Sequence, residues 1–184
     1  MTAEFPSASS VPIDEPVASR RDFVAAAVTV AAAAGGATAG AASAAQAQAA
    51  ANVRYSNPPG MSSPPAYHHV VEVTGPHRTI YLAGQTGADA TGKVAGDFRA
   101  QAVQVFENIK TALASVGGGF ENVVKLTSYL TNIDANAPAY REVRASYFTN
   151  KAALPASTLL QVPRLASAAY LLEVEVVAIL PPRA

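Results

Sequence analysis

Cysteine is absent from the chain. That excludes disulfides, thiolate nucleophiles and zinc–sulfur centres, and it suits an oxidising compartment. Charge is scarce: Asp, Glu, Lys and Arg make up 14% of the residues and cancel to a formal net charge of +0. From residue 50 onward eleven Lys or Arg stand against nine Asp or Glu, dispersed and without interleaved aromatics. No nucleic-acid partner is expected from such a distribution. No apolar run approaches the roughly 18–20 residues that cross a bilayer, so no stable membrane insertion is expected. His68 and His69 are adjacent on an expected strand and point oppositely, and His77 falls on a turn. A metal site is therefore not expected. The glycine-rich stretch 84–96 lacks the lysine spacing of a phosphate cradle, no serine or cysteine elbow occurs, and no cofactor is expected.

What the chain does have begins with an N-terminus unlike the rest. Arg20-Arg21 precedes an alanine-rich apolar stretch, residues 24–34, followed by the small-x-small sites Ala45-Gln46-Ala47 and Ala47-Gln48-Ala49. A charged start, an apolar middle and a small-residue exit compose an export signal, and the arginine pair marks the twin-arginine version. Residues 1–49 are accordingly expected to be a signal and cleavage region, the twin-arginine export machinery its partner, and the destination periplasmic or secreted. The alternative is an alanine-rich tail whose arginine pair is coincidental. Residues 50–65 hold Pro58, Pro59, Pro64 and Pro65 and read as an irregular lead-in, leaving one domain over 66–184.

Within that domain, 66–73 and 78–83 read as strands joined by the Gly75-Pro76 turn, an opening hairpin. A loop is expected over 84–96, with Asp97 as helix N-cap. Phe98, Ala102, Val105, Phe106, Ile109, Leu113 and Val116 recur at steps of three and four, and Gly117-Gly118-Gly119 ends the helix. A strand over 123–131 follows. Pro138 fits the first turn of a second helix, with Tyr140, Val143 and Tyr147 on one side and Arg141 and Arg144 on another. Strands over 158–162 and 170–180 complete the order ββ-α-β-α-ββ, an α+β two-layer fold with both helices on one face of the sheet. The other face carries Leu171, Glu173, Glu175, Val177 and Ile179 and has no third layer in the chain. A face that apolar is expected to be buried by association.

Tyr81-Leu82-Ala83-Gly84-Gln85-Thr86-Gly87, then Leu154-Pro155-Ala156-Ser157-Thr158, then Glu173-Val174-Glu175-Val176-Val177-Ala178 stand in an order and spacing that resemble the RidA family, the YjgF group. The helix segment 105–110 and the segment 122–126 reinforce the match, which covers about residues 65–180. The resemblance implies a chorismate-mutase-like domain, a homotrimer with clefts between subunits, and hydrolysis of small reactive 2-imino acids to keto acid and ammonia.

The resemblance also assigns roles, residue by residue. Tyr67 matches a cleft-lining tyrosine, although Pro65-Ala66-Tyr67-His68 lacks the family's following serine. Gly84 matches the glycine whose backbone approaches the ligand, with Ala83 replacing the usual serine. Glu175 matches the glutamate credited with orienting water, and Arg141 falls near the family's helix asparagine. Ser157 stands where the family's Pro-Ala-Arg-Ser has its substrate-gripping arginine. A guanidinium holds a carboxylate by two parallel charge-assisted hydrogen bonds. Its loss is expected to cost about one to two powers of ten in affinity, unless Arg141 or Arg164 substitutes. Ser157→Arg is expected to recover that factor. Glu175, amid an apolar strand, is the expected catalytic acid–base group; its other reading is a subunit-interface ion pair. The expected function is action on small imine, enamine or carbonyl metabolites, a deaminase with altered specificity; the alternative is a non-catalytic ligand-binding or chaperone-like trimer.

Overall fold

The computed structural model describes residues 52–183; the expected export signal over 1–49 lies outside the described residues. The elements run β1 (Asn52–Ser56), β2 (Val70–Thr74), β3 (Arg78–Thr86), α1 (Phe98–Ser115), β4 (Val123–Leu130), α2 (Ile133–Tyr147), β5 (Ala156–Gln161) and β6 (Leu172–Leu180). Two single 3₁₀ turns, Phe120–Asn122 and Lys151–Ala153, precede β4 and β5.

β3, β6, β4 and β5 form the main sheet in that spatial order. β4 and β5 run parallel, joined by α2 as a crossover, and the other pairings are antiparallel. The α+β class with two helices is as the sequence leads one to expect, but the opening hairpin is not. β2 pairs with β1, inside the expected lead-in, and the two make a separate two-stranded sheet. Residues 66–69 are not strand: His68 Nδ1 donates to the Leu154 carbonyl at 2.9 Å, and the His69 amide donates to Asn57 Oδ1 at 3.0 Å. Side-chain anchors there replace a ladder.

α1 starts where Asp97 accepts from the Ala100 amide at 2.8 Å. It ends in a Schellman closure, with the Gly117 amide on the Ala114 carbonyl and the Gly118 amide on that of Leu113. Gly117 takes φ 82°, a left-handed angle that side chains with a Cβ resist. The apolar stripe of α1 is buried from Phe98 to Leu113 against Leu126, Leu130, Leu172, Val174 and Val176.

α2 begins earlier than Pro138 suggests. Asn132, at φ 49°, is its N-cap, and Gln161 Oε1 accepts from the Ile133 amide at 2.8 Å. Pro138 lies inside the helix, so one backbone hydrogen bond is missing there. These caps and the burial of Ala137, Tyr140 and Val143 hold the element. Both helices lie on one face of the main sheet. The opposite face carries Tyr81, Lys125, Thr127, Tyr129, Glu173 and Glu175, with Tyr81 78% exposed.

Candidate functional site

The strand register settles which residues share a face. Ser157 is paired with Leu126 in the parallel β4–β5 ladder, so it points with Leu126 toward the helices. Leu159, two residues on, does the same. Across from them α2 presents Tyr140, Arg141, Arg144 and Ala145, one helical turn repeated. Pro65, Ala66 and Tyr67 close a third side, and Lys151 a fourth, around a cleft of about 410 Å³. The His68–Leu154 hydrogen bond fixes the segment bearing Tyr67 to the start of β5. Tyr140 is held by a 2.5 Å hydrogen bond with the buried Ser128 hydroxyl of β4. Burial pushes its phenol up, opposed by the Ser128 hydrogen bond and the nearby Arg144 charge.

Three expected site residues, Tyr67, Arg141 and Ser157, thus meet in one cleft. Gly84 and Glu175 do not join them. β3 carries one extra residue between Leu82 and Gln85, a bulge at Ala83-Gly84. A Cβ on Gly84 would fall 1.9 Å from Glu173 Oε1, so the missing side chain makes room for that carboxylate. Glu175 is on the open face of β6, opposite Thr127, and accepts from the Tyr129 hydroxyl at 3.1 Å. The Tyr129 phenol is raised, first by that hydrogen bond, then by desolvation and the charges of Glu175 and Glu173. Within one chain the Glu175 side chain is exposed, although its strand is otherwise apolar. Ser157 and Glu175 therefore occupy opposite faces of one sheet. Only a second copy can bring a Glu175 to a Ser157.

Arg144 corrects the helical reading. It does not face solvent with Arg141; it is only 6% exposed and sits on the buried stripe with Tyr140 and Val143. Its guanidinium lies 5.1 Å over the Phe148 ring. Nε and Nη2 have no hydrogen-bond partner among the described residues. Desolvation pulls its pKa down, partly offset by Tyr140. The signal was available: Arg144 follows Tyr140 by four residues and precedes Phe148 by four, the spacing of one helix face. Arg164 lies elsewhere, in a groove with Thr131, Leu165 and Tyr170. Among the described residues no group of three or more His, Cys, Asp or Glu is placed to hold a metal ion.

Comparison with known proteins places this geometry among relatives. The profile of the family described as Endoribonuclease L-PSP matches residues 60–180. A RutC family protein of Aquifex aeolicus is 33% identical over 114 residues, 61% of this chain and 87% of the relative. The 2-iminobutanoate/2-iminopropanoate deaminase of Mus musculus is 33% identical over 115 residues, 61% of this chain and 80% of that protein. The crystal structure of YyfB, a Rid family protein of unknown function from Yersinia pestis, superposes with a TM-score of 0.64. It is 33% identical and covers 70% of this chain and 99% of its own.

Proposed function

Because the chain belongs to the Endoribonuclease L-PSP family, the RidA/YjgF group, we propose that it acts on small reactive imine, enamine or carbonyl metabolites. Its reaction is hydrolysis of 2-imino acids to keto acid and ammonia, with specificity altered by Ser157. The observation that carries this reading is the split of the site: a cationic cleft with Tyr67, Arg141 and Ser157 on one face of the sheet, and Gly84 with Glu175 on the other. A homotrimer that packs open faces against neighbouring clefts joins the halves and desolvates Glu175. Water then adds across the C=N bond, its oxygen to carbon and a proton, relayed by Glu175, to nitrogen. The carbinol proton follows the same relay as the C–N bond breaks, ammonia leaves and the keto acid remains. The named deaminase relative supports this chemistry. An amino acid oxidase supplemented with the protein should release keto acid faster than the oxidase alone. No acceleration with any amino acid tested favours the second reading, a non-catalytic ligand-binding or chaperone-like trimer, which draws support from the exposed Glu175 already engaged by Tyr129.

The N-terminal 49 residues carry a separate proposal, twin-arginine export to the periplasm or exterior, resting on Arg20-Arg21 and the apolar stretch after it. Lysine at both positions should leave precursor in the cytoplasm; export at the native level sinks the reading.

A further inference from the structure

We infer that Arg144 is the carboxylate-binding group of the Ser157 cleft, a guanidinium delivered from α2. The inference rests on reading the cleft as a small-metabolite site. Three observations carry it. Arg144 is 6% exposed, lines the cleft and leaves Nε and Nη2 without partners among the described residues. A desolvated guanidinium is costly unless an anion or a full set of acceptors compensates it, and stacking on Phe148 supplies neither. Next, among the described residues no Asp or Glu lines the cleft, while Arg141 and Lys151 do. The compensating anion is therefore not provided by the residues around it. Finally, Ser157 brings a small neutral side chain into the same space, so Arg144 meets no competing cation from β5. Serine at 157 leaves room beside Arg144; a third guanidinium, added to those of Arg141 and Arg144, would crowd and repel them.

The ligand class follows from the lining. The planar fork of arginine matches a carboxylate with two parallel hydrogen bonds. Ala66, Ala145, Leu159 and the rings of Tyr67 and Tyr140 offer apolar contact for a short carbon chain. A cleft of about 410 Å³ lies within the range of small-molecule sites. The occupant is a small organic acid, its carboxylate on Arg144 and its carbon chain along β5. A carboxylate from a second copy is the competing partner.

Pyruvate and its neutral isostere pyruvamide, titrated calorimetrically into the full chain, separate the cases. The native protein should bind pyruvate roughly 10- to 100-fold more tightly than pyruvamide, the factor a charged hydrogen-bonded contact supplies. Arg144→Met should bind the two equally, keep the native assembly mass, and melt no lower than the native chain, because an uncompensated buried cation has been removed. Ser157→Arg alone, against the expectation drawn from the resemblance, should gain nothing, because it adds a third guanidinium beside Arg141 and Arg144. Combined with Arg144→Ser, it should recover the preference for pyruvate that Arg144→Ser alone lacks. The inference is overturned if Arg144→Met still prefers pyruvate, if it melts lower or loses its assembly (a structural or interface role), if Ser157→Arg alone strengthens pyruvate binding, or if the exchange recovers nothing. The functional reading fails separately. Acceleration of the coupled oxidase that survives Arg144→Met sinks only the clamp, and Arg144-dependent pyruvate binding without acceleration sinks only the hydrolysis.

Discussion

Two buried or half-buried polar side chains on α2 behave differently because, among the described residues, one has a partner and the other does not. Tyr147 donates to Glu107 Oε1 at 2.9 Å and stacks on Phe106 at 5.0 Å between centroids. Desolvation first, then the Glu107 hydrogen bond and charge, pushes its phenol up to about 12. The folded chain thus holds this proton more tightly than the unfolded chain, whose tyrosine titrates near 10. The stabilisation is complete below about pH 10 and is lost as pH rises toward about 12. Tyr147→Phe should flatten that part of the stability profile: between pH 10 and 12 its urea midpoint should fall less than the native one. An equal fall means Tyr147 does not hold its proton through Glu107. Among the described residues the Arg144 Nε and Nη2 have no such partner.

Elements are held in place by single side chains at their crossings. Gln101 is 2% exposed and joins three segments: its Nε2 donates to the carbonyls of Ala95 at 3.1 Å and Ala169 at 2.9 Å, and its Oε1 accepts from the Leu171 amide at 2.9 Å. α1 is thereby tied to the loop before it and to the entrance of β6, the strand that carries Glu173 and Glu175. Gly87 packs on the same residue; a Cβ there would lie 2.5 Å from Gln101 Cβ and 2.9 Å from its Cα, with no flexible end to yield. Gln101→Met keeps the length and orphans three backbone groups, each worth about 1–3 kcal/mol when left unsatisfied in the interior. Urea denaturation should show a loss of at least about 2 kcal/mol with an unchanged slope. A loss under about 0.5 kcal/mol, the scale of an indifferent surface change, means water replaces the amide. In the sequence Gln101 stands between Phe98 and Ala102 with no local signal of this role. Its partners are up to 70 residues away, and no local pattern could name them.

At the scale of the whole molecule, the open sheet face is the unfinished part. Tyr81 is 78% exposed, and its cross-strand neighbour Val177 lies beside it on β6. Exposed aromatic and aliphatic groups on a two-layer domain favour association. Light scattering should give three times the chain mass of 18.8 kDa for the uncleaved protein. Val177→Asp, which sets a charge in the proposed interface, should give the monomer mass. A native monomer or dimer refutes the trimer and with it the assembly of Glu175 against a neighbour's cleft.

The sequence by itself determined the periodic parts of this protein: the α1 stripe with its Asp97 cap and glycine stop, and the alternation of β6. Each is local, set by backbone geometry within a few residues, so adjacent side chains carry the information. The motif blocks likewise carried the family. The tertiary structure decided the rest. It paired β2 with β1 in a separate sheet and tied the segment before β2 to Leu154, a contact across 86 residues that no local pattern encodes. It began α2 at Ile133 despite Pro138, because Asn132 and Gln161 satisfy the helix end. It put Ser157 and Glu175 on opposite faces, a consequence of register across three strands. It buried Arg144 beside Ser157, because the charge of a side chain is written in the sequence, whereas whether that charge is desolvated and unpaired depends on everything folded around it.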